Sequence, residues 1–282
     1  MSTTLELTFP LPKTIDHTTL ARRAEKALQA AAASWFVLAV LGQLVMVIYI
    51  IGFYGRTALS GHLEVWRKVL THGYVASDGM GNAVLFSHLI FAALIVLGGA
   101  VQLITGVRRR FPVFHRWNGR IYLLSAAVMS LGGIFMIALR GPFGAPSQMF
   151  AIVLNGLLIL LCAMLTLRHA LARRFDLHRQ WALRLFLCVS GSWFFRVGLM
   201  FWLMVNRGPV GFDPHTFQGP AITVLAFGQY LLPLFVLELY LRAKRSVSVG
   251  PRIAMSAGLV VLTLMMGVGI FAASMIIWLP RL

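Results

Sequence analysis

Acidic residues are the scarcest chemistry in this chain: eight Asp and Glu stand against 25 Lys and Arg in 282 residues. The eight are Glu6, Asp16, Glu25, Glu64, Asp78, Asp176, Asp213 and Glu238. None sits where it could form a carboxylate pair inside an apolar segment, so intramembrane acid–base chemistry on paired carboxylates is excluded. The sequence also lacks HExxH and any glycine-rich phosphate loop after a strand. The last apolar segment has no lysine for a retinal Schiff base. Cysteine is limited to Cys162 and Cys188, with no CxxC spacing; both lie in apolar segments and read as small packing residues. A zinc site would need three or four convergent ligands, and His88 is the only histidine well inside an apolar segment.

What is present is apolar surface. Hydrophobic residues make up 59% of the chain and charged residues 12%, about half the ~25% charged of a soluble domain, and mean hydropathy is +0.82. Seven runs, 31–53, 82–106, 120–140, 149–168, 182–205, 221–241 and 254–279, each match a hydrocarbon core of about 30 Å at 1.5 Å per residue. The expected fold is an all-α integral membrane protein with seven transmembrane helices. Residues 1–30 read as a cytoplasmic amphipathic segment, with a surface helix over 17–30 running into the first span. Residues 31–282 read as a single seven-helix membrane domain. The polar stretch before the first span argues against a cleaved signal peptide.

The net charge of +17 is distributed as a topology signal. Eighteen Lys and Arg fall in 1–30, 107–120, 168–184 and 241–252; six fall in the alternate segments, and Arg196 lies inside a span. The positive-inside rule then places the N-terminus in the cytoplasm and the C-terminus outside. With topology accounting for the cations, no basic surface is left to read as a nucleic-acid site. The partners expected are the lipid bilayer and, at the cytoplasmic face, anionic lipid headgroups.

One cationic phrase occurs twice. RRFPVFHRWNGRIYL fills 109–123 and RRFDLHRQWALRLFL fills 173–187. Both carry two arginines and Phe, then His-Arg, then Trp, and an Arg three residues after Trp. An internal repeat of this kind points to duplicated hairpins, here 82–140 and 149–205. Spans two–three and four–five would form the core. The repeated cytoplasmic corners present His115, Arg116, Trp117 and Arg120, then His178, Arg179, Trp181 and Arg184. Interfacial anchoring explains the Trp and Arg. A pseudo-two-fold axis bringing His115 and His178 together is the functional alternative.

Ionisable groups within a bilayer are costly and so mark candidate sites. His88 and Arg196 lie in the outer halves of spans two and five, and Arg140 ends span three; together they outline an outer pocket. Arg196 has no carboxylate in its own half of the membrane, leaving Asp78 or Asp213 from a loop, a backbone carbonyl, or an anionic ligand. Glu238 is placed to pair with Arg242 one turn on. Gln102, Asn155 and Gln229 read as interhelical hydrogen-bonding groups. The 54–81 connection suggests a short surface helix near 62–72.

From Ser87 to Arg196 the chain resembles the uncharacterised bacterial membrane proteins of the family called domain of unknown function twenty-three oh six. The resemblance rests on His88 early in a span, Gly98-Gly99-Ala-Val-Gln102, the arginine triplet before HRWNGR at 115–120, Tyr122, HRQWALR at 178–184, and Arg196. Asn118 departs from the pattern, which has an apolar residue there. The resemblance implies a multi-pass protein of the bacterial inner membrane and brings no activity. The HR-type helix starts are also loosely similar to small b-type membrane cytochromes. The leading functional expectation is a membrane redox component holding one haem b or a quinone at His88, with Arg140 and Arg196 facing propionates or a quinone oxygen. The alternatives are non-redox binding or transport of a small anionic or lipid ligand in the same pocket, and an assembly or sensory role.

Overall fold

The computed structural model describes residues 17–69, 73–140 and 145–282. Every regular element among them is helical, and no strand forms. Six helices are long and apolar enough to cross a membrane, and a bent pair counts as a seventh crossing when read as one span. This is the all-α membrane architecture expected from the hydrophobic runs. Closure of backbone hydrogen bonds within each segment is what lets such runs sit in hydrocarbon.

The first crossing is α1 (His17–Tyr49), continued by a π-helical segment (Ile50–Gly55) and the short α2 (Arg56–Leu59). The amphipathic stretch at 17–30 forms the opening turns of this same helix, with no break before the apolar run. A 3₁₀ turn (Leu63–Lys68) follows, in place of the longer helix expected near 62–72. Trp66 fixes it: the residue is 1% exposed, its ring meets Tyr54 edge-on and Phe86 at a tilt, and it donates Nε1–H to Thr57 Oγ1 at 2.7 Å. His72 lies outside the described residues.

Asp78 caps α3 (Gly79–Leu103) by accepting from the Gly81 amide at 2.8 Å, satisfying one of the free donors of a helix start. The short α4 (Thr105–Arg110) carries the arginine triplet, and α5 (Pro112–Arg140) returns through the bundle. The hairpin is zipped by polar side chains. Asn118 Nδ2 donates to Gly98 O and Gln102 Oε1, both at 2.9 Å, and Gln102 Nε2 donates to His115 O at 3.1 Å. Asn118 is thus an interhelical clamp. At Gly99 a Cβ would stand 2.8 Å from the Tyr122 ring, so only glycine allows this approach.

The second hairpin is α6 (Pro146–Leu171) followed by α7 (Phe175–Val189) and α8 (Gly191–Asn206). The fifth crossing, expected as one helix over 182–205, is broken between α7 and α8 with a bend of 53°. The crossings close with α9 (Pro220–Arg245) and α10 (Val249–Ala273), which runs into a π segment (Ser274–Trp278). Helix α1 packs on α10, α10 on α8, α3 on α5, α5 on α6 and α6 on α7. The main core joins α1, α3, α8 and α10. A second cluster, containing Cys162 and Cys188, joins α3, α5, α6 and α7.

Candidate functional site

The break in the fifth crossing organises the interior. Ser190 ends α7, and its carbonyl accepts from the Trp193 and Phe194 amides at 3.0 and 2.9 Å, starting α8. Side chains add to the backbone bonds at the end of α7: Ser190 Oγ donates to Phe186 O at 2.8 Å, beside the Ser190 amide, and Asn155 Nδ2 of α6 donates to Cys188 O at 3.2 Å. Gln43 Nε2 of α1 donates to Ser190 Oγ at 2.9 Å. A Cβ at Gly191 would stand 2.9 Å from Asn155 Nδ2 and 3.5 Å from Gln229 Oε1, so polar side chains close in where the chain bends. Irregular backbone at membrane depth is tolerated when side chains satisfy it in this way.

An interior cavity of about 170 Å³ opens beside this break, walled by α1, α3, α5, α6, α7 and α8. His88, Ser130 and Asn155 on its wall lie nine or ten residues from the helix ends opposite the arginine-rich loops, about 13–15 Å deep at 1.5 Å per residue. Six residues of its lining each carry a buried polar atom that has no partner: Gln43 Oε1, His88 Nδ1, Tyr122 OH, Ser130 Oγ, Asn155 Oδ1 and Trp193 Nε1. Gln43 is 2% exposed and Trp193 1%. Polar atoms buried in this manner are normally satisfied by protein or bound water. Together they offer two amide acceptors, an indole donor, two hydroxyls and one imidazole nitrogen.

Of the residues proposed for an outer pocket, His88 lines this cavity. Arg196 lies one turn along α8 from Ser192 and Trp193 of the wall but is not part of the lining. Its Nη1 donates to Ser192 O at 2.8 Å. Asp213 is engaged with the His215 amide and Thr216 Oγ1, and no carboxylate among the described residues pairs with Arg196. The side chain of Arg140 lies outside the described residues. Gln43, Tyr122, Ser130 and Trp193 were not singled out by sequence as site residues. Gln43 and Ser130 carried a readable signal, being polar in the middle of apolar runs.

At the arginine-rich end the two corners reproduce each other locally. Arg120 stacks on Trp117 with its guanidinium carbon 4.8 Å from the ring centroid, and Arg184 on Trp181 at 4.7 Å. Arg116 and Arg179 are exposed. The His115 and His178 rings are each engaged within their own hairpin. Gln102 Nε2 lies 3.4 Å from His115 Nε2, and His178 Nδ1 lies 3.0 Å from Thr166 O. Glu238 pairs with Arg184 of α7, with Arg184 Nη2 at 2.6 Å and Nε at 2.9 Å from Oε1. This corrects the expected pairing with Arg242 within α9. Gln229, expected to bridge helices, donates within α9 to Ala226 O.

A model of the family described as predicted membrane protein (DUF2306) matches residues 85–241, more than half of the chain. The chain belongs to this family. No curated protein and no solved structure matches it. The DUF2306 region supplies His88, Tyr122, Ser130, Asn155 and Trp193, whereas Gln43 comes from α1, outside the matched segment.

The two cofactors expected from sequence make different demands. A cavity of about 170 Å³ compares with the ~150 Å³ that accommodates one benzene ring. A haem macrocycle joins four such rings, and His88 is the sole imidazole on the wall, so this cavity does not fit haem b. A single six-membered ring is of the size this volume accommodates. No group of three or more His, Cys, Asp or Glu suited to a metal ion occurs among the described residues.

Proposed function

We propose that this membrane protein binds a single-ring, quinone-type molecule in the cavity beside the α7–α8 break. The observation that supports the reading is a space of one-ring size whose lining residues include six that carry a buried polar atom without a partner. Trp193 Nε1, Tyr122 OH and Ser130 OH would donate to ring carbonyls. Gln43 and Asn155 oxygens would accept from the hydroxyls of the reduced ring, and His88 Nδ1 suits either form. The lining carries no fixed charge, which favours a neutral ring over the small anion also considered. Arg196 stands one turn away, where it would stabilise partial negative charge on an oxygen facing α8. In this reading the arginine-rich face is cytoplasmic and contacts anionic headgroups, and the membrane is the bacterial inner membrane.

The test is calorimetric titration of the detergent-purified protein with tetramethyl-1,4-benzoquinone, a ring without a chain. Saturable binding is expected. Gly133 lines the cavity and a Cβ there meets nothing within 4 Å, so Gly133→Leu fills the space and should weaken binding about tenfold or more, 1.4 kcal/mol or above. His88→Ala should weaken it about five-fold, the worth of one hydrogen bond. Absence of saturable binding would leave the cavity to water, of which it would hold about five at ~30 Å³ each. A Soret band in protein from haem-replete cells, lost in His88→Ala, would replace this reading with haem.

A further inference from the structure

A second, more open space adjoins the cavity. It measures about 650 Å³ and lies between α3 and α5 on the outside of the bundle, bounded by Val84, Ser87, Leu131, Gly132 and Phe135 among others. His88 and Ile134 line both spaces, so these two side chains form the partition between the interior and the outer groove. Ile134 rests against Gly156 of α6, where a Cβ would stand 3.2 Å from its Cδ1. Ser87 turns its hydroxyl back onto Val84 O at 2.8 Å, which leaves the groove apolar apart from the His88 partition. Leu131 and Phe135, on its rim, are exposed. From Val128 to Ala138 the α5 wall extends for about 15 Å at 1.5 Å per residue.

Resting on the quinone-type reading of the cavity, we infer that the ligand is lipid-borne, its ring beside His88 and its apolar chain leaving sideways through the α3–α5 groove. The juxtaposition carries the inference. A compact chamber, bordered by residues with unmatched polar atoms, and an apolar trench share one thin wall, and that wall includes His88. A water-soluble ligand would have no use for the trench. Lipid chains are about as apolar as the groove, so the chain gains little by leaving the bilayer. The groove instead sets the route and orientation, and the ring supplies the affinity.

The experiment compares tetramethyl-1,4-benzoquinone with a benzoquinone carrying a ten-carbon chain, each titrated into wild type, Gly132→Leu and Gly133→Leu in the same detergent. A Cβ at Gly132 makes only an ordinary 3.6 Å contact with Val84, and leucine is the better helix former by about 1 kcal/mol, so the variant should fold. Gly132→Leu is expected to weaken the chained quinone about tenfold and to leave the chainless ring within twofold, which also certifies an intact cavity. Equal behaviour of both quinones on Gly132→Leu would overturn the lateral route. Failure of the chainless ring to bind wild type, or indifference of both to Gly133→Leu, would overturn the cavity reading itself.

Discussion

Helix α5 and the α7–α8 pair open on the same cationic phrase and part company one and a half turns later. With Trp117 set against Trp181 and Arg120 against Arg184, Ser190 and Gly191 stand where α5 has Ala126 and Ala127. Alanine continues a helix with the least cost of any residue; serine competes for backbone groups and glycine loses the most entropy. Propensity of this size does not break a helix by itself. Here Asn155 donates to the Cys188 carbonyl and Gln43 to the Ser190 hydroxyl at the break. The same register sets Arg196 against Gly132. One copy of the hairpin thus carries the charge and the bend, and the other carries the small residues that leave room for the cavity and the groove. A repeated anchor phrase fixes where a helix enters the membrane and leaves the two helices free to follow different courses.

The comparison is most sharply tested at the bend. Gly191→Val drives a branched side chain toward Asn155 and Gln229, and overpacking of this kind costs about 1–3 kcal/mol. Ala127→Val, at the matching place in α5, should stay within about 0.5–1 kcal/mol, the range of a β-branched residue in a helix. Thermal unfolding in detergent measures both. Equal losses would mean that the bend is not where the second copy differs.

The corners come next. Arg184 is held by Glu238, with side-chain exposures of 18% and 43%, whereas Arg120 is exposed and has no carboxylate partner among the described residues. Glu238→Gln should cost about 1–2 kcal/mol, between the values for an exposed pair and for a charge left half-buried. Arg120→Gln should change stability by about 0.5 kcal/mol or less and act instead on retention by vesicles containing anionic lipid. If Arg120→Gln is the more destabilising, the two corners have been assigned the wrong way round.

The smallest effect is expected beyond the broken span. Hydrogen bonds from the His215 amide and then from Thr216 hold the Asp213 carboxyl below its ordinary value of 3.8. A depressed folded-state pKa stabilises above the unfolded value and loses that contribution as pH falls through the folded one. Order in the 207–219 turn, followed by limited proteolysis, should therefore be constant from neutral pH to about 4 and decline below it. Asp213→Asn should remove that acid-dependent step; an unchanged profile would remove Asp213 as its source.

The hydrophobic runs, the alternating cation count and the repeated phrase were all legible in the sequence, because each is a local cost or gain in lipid. About twenty apolar residues close their own backbone hydrogen bonds, and an arginine near a helix end meets the interface whatever its neighbours do. His88 could be singled out on the same ground. Which partner a polar side chain finds was not local. Glu238 met Arg184, 54 positions away, rather than Arg242 one turn on, because packing of α7 against α9 brought the guanidinium closer than the helix's own geometry did. Gln43, Tyr122, Ser130, Asn155 and Trp193 lie on four helices, α1, α5, α6 and α8, with His88 on a fifth, α3, and only helix packing decided that these six residues would line one common space.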